Sequence, residues 1–230
     1  MSRRGGAAAR RAAARPLPEP EAAGEAALPP ARPGATLLVA CGALARETLA
    51  VIAANGLEDR FALTCLPAGL HNRPERIAEA VRARVRAAKA AGHERVLVLY
   101  GDCGTGGALD RVCAEEQVER VPGPHCYAMF DGLDAFAARA EAETRAFYLT
   151  DFLARQFDAL VWRGLGLDRH PDLAGDYFRG YDRLVYLAQT DDPTLTARAA
   201  EAARRLGLAF ERRVTGYGDL AATLTRASPR

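Results

Sequence analysis

From Thr36 onward the chain alternates short apolar runs with amphipathic segments, and no other feature restricts its fold as strongly. Runs over 36–40, 60–66, 95–100 and 118–121, then 147–150, 183–189 and 208–214, are each bounded by Gly, Pro, Asp or Asn. Such runs read as buried strands. Helical segments separate them: 46–55, 74–91, the stretch ending near Gln117, 133–143, 152–162, 171–178 and 193–206. Gly56 closes the first helix and Pro74 opens the second. Ile77, Val81 and Val85 are spaced to bury one helical stripe. Asp151 stands as an N-cap before Phe152. Alternating strands and helices imply right-handed crossovers and a mainly parallel, doubly wound α/β sheet. A break near residue 145 favours two Rossmann-like lobes over one wide sheet. The expected domains are a disordered Ala/Arg/Pro-rich tail over 1–34, a lobe over 35–145 and a second α/β lobe over 146–230.

Three of the five cysteines follow strands. Cys41 follows the first run, Cys103 lies in the loop after 95–100, and Cys126 follows 118–121 across Pro122-Gly123-Pro124-His125. Open α/β sheets bind ligands at the C-terminal edge of their strands. With strand order 2-1-3-4, Cys41 and Cys103 face each other at the topological switch point, and the fourth strand's loop brings His125 and Cys126 over the same crevice. Three thiolates and an imidazole are a soft donor set for Zn²⁺ or an iron–sulfur cluster, and a corrinoid-type metal is compatible with it. The expected ligands are Cys41, Cys103 and Cys126, with His125 as fourth ligand or proton donor. Cys65 and Cys113 fall inside a strand and a helix and are expected to pack in the core.

The loop Gly101-Asp102-Cys103-Gly104-Thr105-Gly106-Gly107 precedes a helix. Gly101, Gly104, Thr105, Gly106 and Gly107 are expected to bind a small anionic substrate or cofactor through backbone N–H groups, or to pack around a metal. Asp102 is a candidate catalytic or ligand-orienting carboxylate. Lys89 is the sole lysine and lies in a charged helix, so no P-loop or Schiff-base lysine is available. His71 and His93 read as loop residues without a partner. Asp168, Arg169, His170 and Gln189 end elements of the second lobe, where either a plain turn or a contribution to the site is open.

The formal charge is +2, and the basic surplus sits in residues 1–34. That distribution argues against a nucleic-acid partner. No apolar stretch approaches the roughly 20 residues of a membrane span, and no secretory h-region is present. A reducing cytoplasm is the expected compartment, where clustered cysteines signal metal or catalysis more often than disulfides.

The segments Leu38-Val39-Ala40-Cys41-Gly42-Ala43-Leu44, Tyr100–Gly107, Gly123-Pro124-His125-Cys126-Tyr127, Tyr148–Leu153, Gly166–Pro171 and Tyr186–Thr190 together resemble the domain-of-unknown-function 1638 family. The resemblance spans about residues 36–225. Its members are often encoded near corrinoid-dependent methyltransferase components, so it implies a role in corrinoid-linked one-carbon or methyl-transfer metabolism. Three functions are compatible with the residues: a metal-binding protein, a non-catalytic accessory or metal-delivery protein for a corrinoid protein or methyltransferase, and a transferase with a cysteine nucleophile.

Overall fold

The structure, a computed structural model, describes residues 27–228. Most of the expected tail therefore lies outside the described residues. Where it is described, from residue 27, it packs against the first lobe rather than standing free: Leu28 joins a core, and the His93 ring meets the Pro29 carbonyl at 3.1 Å. Arg32 reaches the Glu58 carbonyl at 3.0 Å.

The first sheet contains β1 (Thr36–Cys41), β2 (Phe61–Leu66), β3 (Arg95–Leu99) and the short β4 (Glu119–Arg120). Its order is β2-β1-β3-β4, all parallel, as the crossovers require. β1 lies at the centre, and Leu37, Leu38, Val39 and Ala40 are fully buried. Each leucine so buried contributes about 1.5–3 kcal/mol. Strand periodicity divides these residues between two cores. Leu38 and Ala40 pack with α1 (Ala45–Ala54), through Val51 and Ile52. Leu37 and Val39 pack with α2 (Ile77–Ala90), through Ile77, Val81 and Val85, and with Leu109 of α3 (Ala108–Glu115). The sequence stripe on α2 is thus its buried face. Cys65 and Cys113 fall one in each core.

The expected helix over 133–143 is the shorter α5 (Leu133–Arg139), and a further helix that was not expected, α4 (Cys126–Asp131), precedes it across Gly132 at φ 85°.

The second sheet is β5 (Ala146–Thr150), β6 (Arg183–Ala188) and β7 (Ala209–Val214), parallel and in chain order. Moving across a sheet in one direction with right-handed crossovers leaves the helices on a single face. That face carries α6 (Asp151–Gln156), a π-helical turn over Phe157–Trp162, α7 (Ala174–Phe178) and α8 (Pro193–Leu206). The opposite face, with Ala146, Val185 and Leu187, meets Tyr127 of α4. The first lobe therefore covers what the second lobe's own helices do not.

Asp151 is not the helix cap. Thr150 takes that place, its hydroxyl accepting from the Leu153 amide at 3.3 Å. The Asp151 carboxylate is completely buried and accepts from the Tyr186 hydroxyl (2.7 Å), the Gln189 amide (3.0 Å) and the Thr190 hydroxyl (2.5 Å). It fastens the end of β5 to the end of β6.

A division at residue 145 also misplaces the C-terminal helix. α9 (Leu220–Ala227) returns to the first lobe, where Leu220 and Leu224 are fully buried beside Leu38, Val51 and Ile52. The turn Gly216-Tyr217-Gly218 makes the return possible. A Cβ at Gly218 would lie 2.2 Å from the Phe130 carbonyl oxygen. The Asp219 amide donates to the Met129 carbonyl (2.8 Å), and the Asp219 carboxylate accepts from the Leu133 amide (2.8 Å). Leu224→Ala is expected to lower unfolding stability by about 2–5 kcal/mol, the range for a buried leucine truncation. Urea denaturation checks this, and a loss below about 1 kcal/mol would show that α9 is peripheral.

Candidate functional site

Parallel strands end together, so the loops after β1, β3 and β4 meet at one edge. Cys41 is the last residue of β1 and Cys126 the first of α4. Cys103 lies between, on the loop after β3. That loop runs under the one after β4 at very close range. A Cβ on Gly101 would lie 2.6 Å from the His125 Cα and 2.7 Å from its nitrogen, so no larger residue fits. The Asp102 amide donates to the Gly123 carbonyl at 3.0 Å and the Cys103 amide to the Pro124 carbonyl at 2.6 Å. Cys103 itself has φ 50°, a left-handed conformation that a side chain rarely adopts without surrounding constraint.

Cys41, Cys103 and Cys126 all line one cavity of about 280 Å³. Tyr100, His71 and Tyr127 line it as well, and the second lobe closes it with Phe147, Phe152, Leu153 and Tyr181. Burial raises the pKa of each thiol: Cys103 to about 12, Cys41 above its ordinary value and Cys126 well above it. For Cys103 and Cys126 the neighbouring thiols add to the rise, because each sulfur's anionic form repels the next. Acting the other way, the Ala43 amide faces the Cys41 sulfur, and the Cys126 and Gly101 amides face that of Cys103. The buried Tyr100 hydroxyl also lies near Cys41 but forms no hydrogen bond of normal geometry among the described residues. The thiols are thus neutral at pH 7. Among the described residues no group of three or more His, Cys, Asp or Glu side chains stands at metal-ligand spacing. The three thiols share a wall rather than a ready coordination sphere. An activated cysteine nucleophile needs a lowered pKa, and none of the three has one.

The glycine-rich loop differs from its expected role. The Asp102 carboxylate turns back into it and accepts from the Thr105 hydroxyl (2.7 Å), the Gly107 amide (2.9 Å) and the Gly106 amide (3.2 Å). Of the N–H groups expected to cradle an anion, those of Thr105, Gly106 and Gly107 are satisfied from within. The same bonds, chiefly that from Gly107, lower the Asp102 pKa, so this carboxylate holds the loop. Gly101 and Cys103 line the cavity, whereas Gly104 sits against Pro74, which a Cβ there would meet at 3.4 Å.

His125 also departs from expectation. It lines a second cavity, of about 360 Å³, which shares Tyr127, His71, Phe147 and Tyr181 with the first. Adjacent residues point apart, and Cys126 takes the thiol side. Burial, then the neighbouring His71, lowers the His125 pKa to about 4. A ring neutral at pH 7 carries no proton to spare as a general acid. In the second lobe, Asp168, Arg169 and His170 are exposed. Gln189 is engaged with the Asp151 amide (2.7 Å) and the Leu187 carbonyl (2.6 Å). That lobe gives the cavity apolar and aromatic walls instead. Tyr100, Tyr127 and His71 were not among the residues expected at the site. The first two stand beside cysteine motifs in the sequence, which is the signal that points to them.

The family described as protein of unknown function, DUF1638, matches residues 65–224. The chain belongs to the DUF1638 family. No curated protein and no solved structure matches it. The DUF1638 match contains Cys103 and Cys126 but starts at Cys65, later than the resemblance suggested, so Cys41 lies ahead of it. Among the described residues, no helix is long and apolar enough to cross a membrane.

Two outcomes test this geometry. Gly101→Ala is expected to cost about 2–4 kcal/mol, because the added methyl forces the His125 backbone away; thermal and urea unfolding measure it. A pKa near 12 leaves little Cys103 thiolate at neutral pH. Its alkylation by iodoacetamide in the metal-free protein should rise about tenfold per pH unit up to about pH 11. Peptide mass spectrometry resolves this site, and a plateau near pH 8–9 would mark an ordinary exposed thiol.

Proposed function

We propose that Cys41, Cys103 and Cys126 bind a soft metal centre, zinc or an iron–sulfur cluster, and that the apolar space beside them receives the rest of a ligand. The observation that carries this reading is the meeting of three thiols, from three separate strand-end loops, on the wall of one cavity. Soft thiolates select such metals. Neutral thiols have no reason to gather closely. A cation reverses that balance: it displaces the protons and draws sulfurs to about 2.3 Å. The amides facing Cys41 and Cys103 suit sulfurs that carry charge, as in iron–sulfur sites. His71 is the imidazole that lines the same cavity, and burial keeps it neutral, the form that ligates. A bound metal would supply Lewis acidity or electron transfer beside the chamber.

A cavity of about 280 Å³ is at the small end of small-molecule sites. A corrinoid macrocycle is too large for it. In a corrinoid-linked methyl-transfer role, the corrinoid therefore rides on a partner protein, and this chain acts on a small group presented to the thiol edge. Phe147, Phe152 and Leu153 suit an uncharged, apolar portion of that ligand.

The test is metal content and an ultraviolet–visible spectrum of anaerobically purified full-length protein, before and after loading with zinc or with iron and sulfide. The expected result is one metal centre per chain and protection of three of the five thiols from a thiol reagent. Single Ser variants at Cys41, Cys103 and Cys126 should each weaken loading by at least about tenfold, while Cys113→Ser should not. Unchanged reactivity of all five thiols after loading would refute the reading.

A further inference from the structure

The second cavity has a composition unlike the first. Aromatic rings dominate its walls, those of His125, Tyr127, Phe136 and Tyr148 with the shared His71, Phe147 and Tyr181, and the carboxylate of Glu143 lies among them. Among the described residues, no lysine or arginine side chain lines it. The rings form a continuous array. His125 meets Tyr127 and Phe136 edge-on at 5.0 Å, Tyr127 stacks with Tyr148 at 5.6 Å, and Phe136 lies 5.5 Å from Tyr148.

Two polar features sharpen the picture. Tyr148 donates its hydroxyl proton to Glu143. A phenol that donates to a carboxylate has a more electron-rich ring, and an electron-rich ring attracts cations more strongly. Glu143 stays ionised because Arg213 (2.6 Å) and Tyr148 outweigh the effect of its burial. Its arginine partners, Arg213, which donates to both carboxylate oxygens (2.6 and 3.2 Å), and Arg139, are not among the residues that line the cavity. The second feature is Nδ1 of His125, which is buried without a hydrogen-bond partner among the described residues. A ligand carrying a hydroxyl or an N–H group would satisfy it.

Aromatic rings with a carboxylate, and no lysine or arginine among the described lining residues, match one ligand chemistry. We propose that this cavity binds a small methylated ammonium cation, its methyl groups against the rings of Tyr127, Phe136 and Tyr148 and its charge facing Glu143. A bare ammonium ion would give up more hydration than the rings return. Methylation spreads the charge over an apolar surface, which aromatic walls can solvate. An anion is disfavoured by the same carboxylate, and a large planar ligand by a volume of about 360 Å³.

The experiment titrates the full-length, metal-free chain with choline and, separately, with 3,3-dimethylbutan-1-ol, which has the same shape and hydroxyl but no charge. Binding is followed by calorimetry and ligand-observed NMR. Choline should saturate and bind at least about tenfold tighter than the neutral alcohol. Phe136→Leu keeps an apolar side chain but removes a ring, and should weaken choline by about tenfold. Equal affinity for the two ligands, or no saturable choline binding, would overturn the proposal. So would unchanged choline affinity in a folded Phe136→Leu protein. If that variant does not fold, the paired ligands on the unaltered chain decide alone. The readout does not depend on the cysteines, so its failure and that of the thiol reading are separate results.

Discussion

The site depends on one close crossing of two loops. After β3 the chain passes beneath the loop that follows β4, with Gly101 against the His125 backbone. Two amides, of Asp102 and Cys103, bind carbonyls of the upper loop. The crossing fixes Cys103 relative to Cys126, while the β1–β3 pairing brings Cys41 alongside. The Asp102 carboxylate braces the lower loop through Thr105, Gly106 and Gly107. A non-glycine residue in left-handed conformation at Cys103 fits a segment held from both sides.

The two lobes contribute opposite things to the cavity. The first brings polarisable and polar groups: three thiols, the Tyr100 hydroxyl and the His71 ring. The second brings hydrocarbon and aromatic surface that removes water. Burial by both lobes leads among the causes that raise the pKa at all three thiols. A dry site strengthens every electrostatic interaction inside it. The lobes are also joined by charge: Arg155 of α6 stands 3.8 Å from the buried Glu47 of α1.

Much of the architecture was legible in the residues. Strand runs such as 36–40 and 95–100 are unbroken apolar stretches, and alternation with helices dictates parallel pairing and the 2-1-3-4 order. The meeting of Cys41, Cys103 and Cys126 at one cavity follows from that order. What was not legible depends on side-chain direction and on long-range packing. Asp151 looks like a helix cap because local sequence cannot reveal Tyr186, Gln189 and Thr190 arriving from the neighbouring strand. The glycines after Cys103 look like an empty anion cradle because nothing local shows that Asp102 folds back to fill it. His125 and Cys126 are neighbours in sequence, yet the start of α4 directs them to different cavities.

The docking of α9 has a consequence for how the chain acquires its structure. Leu38, Val51 and Ile52, near the beginning, share a core with Leu220 and Leu224, near the end. A ribosome delivers these residues far apart in time. Until the final helix emerges, the first lobe carries an uncovered greasy flank, and the whole intervening sheet must be in place for the closing segment to find it. Contacts of such long sequence separation slow folding and expose intermediates to aggregation. The first lobe is thus completed only after the second has been made, and a nascent chain stalled short of residue 220 would be a natural client for chaperones.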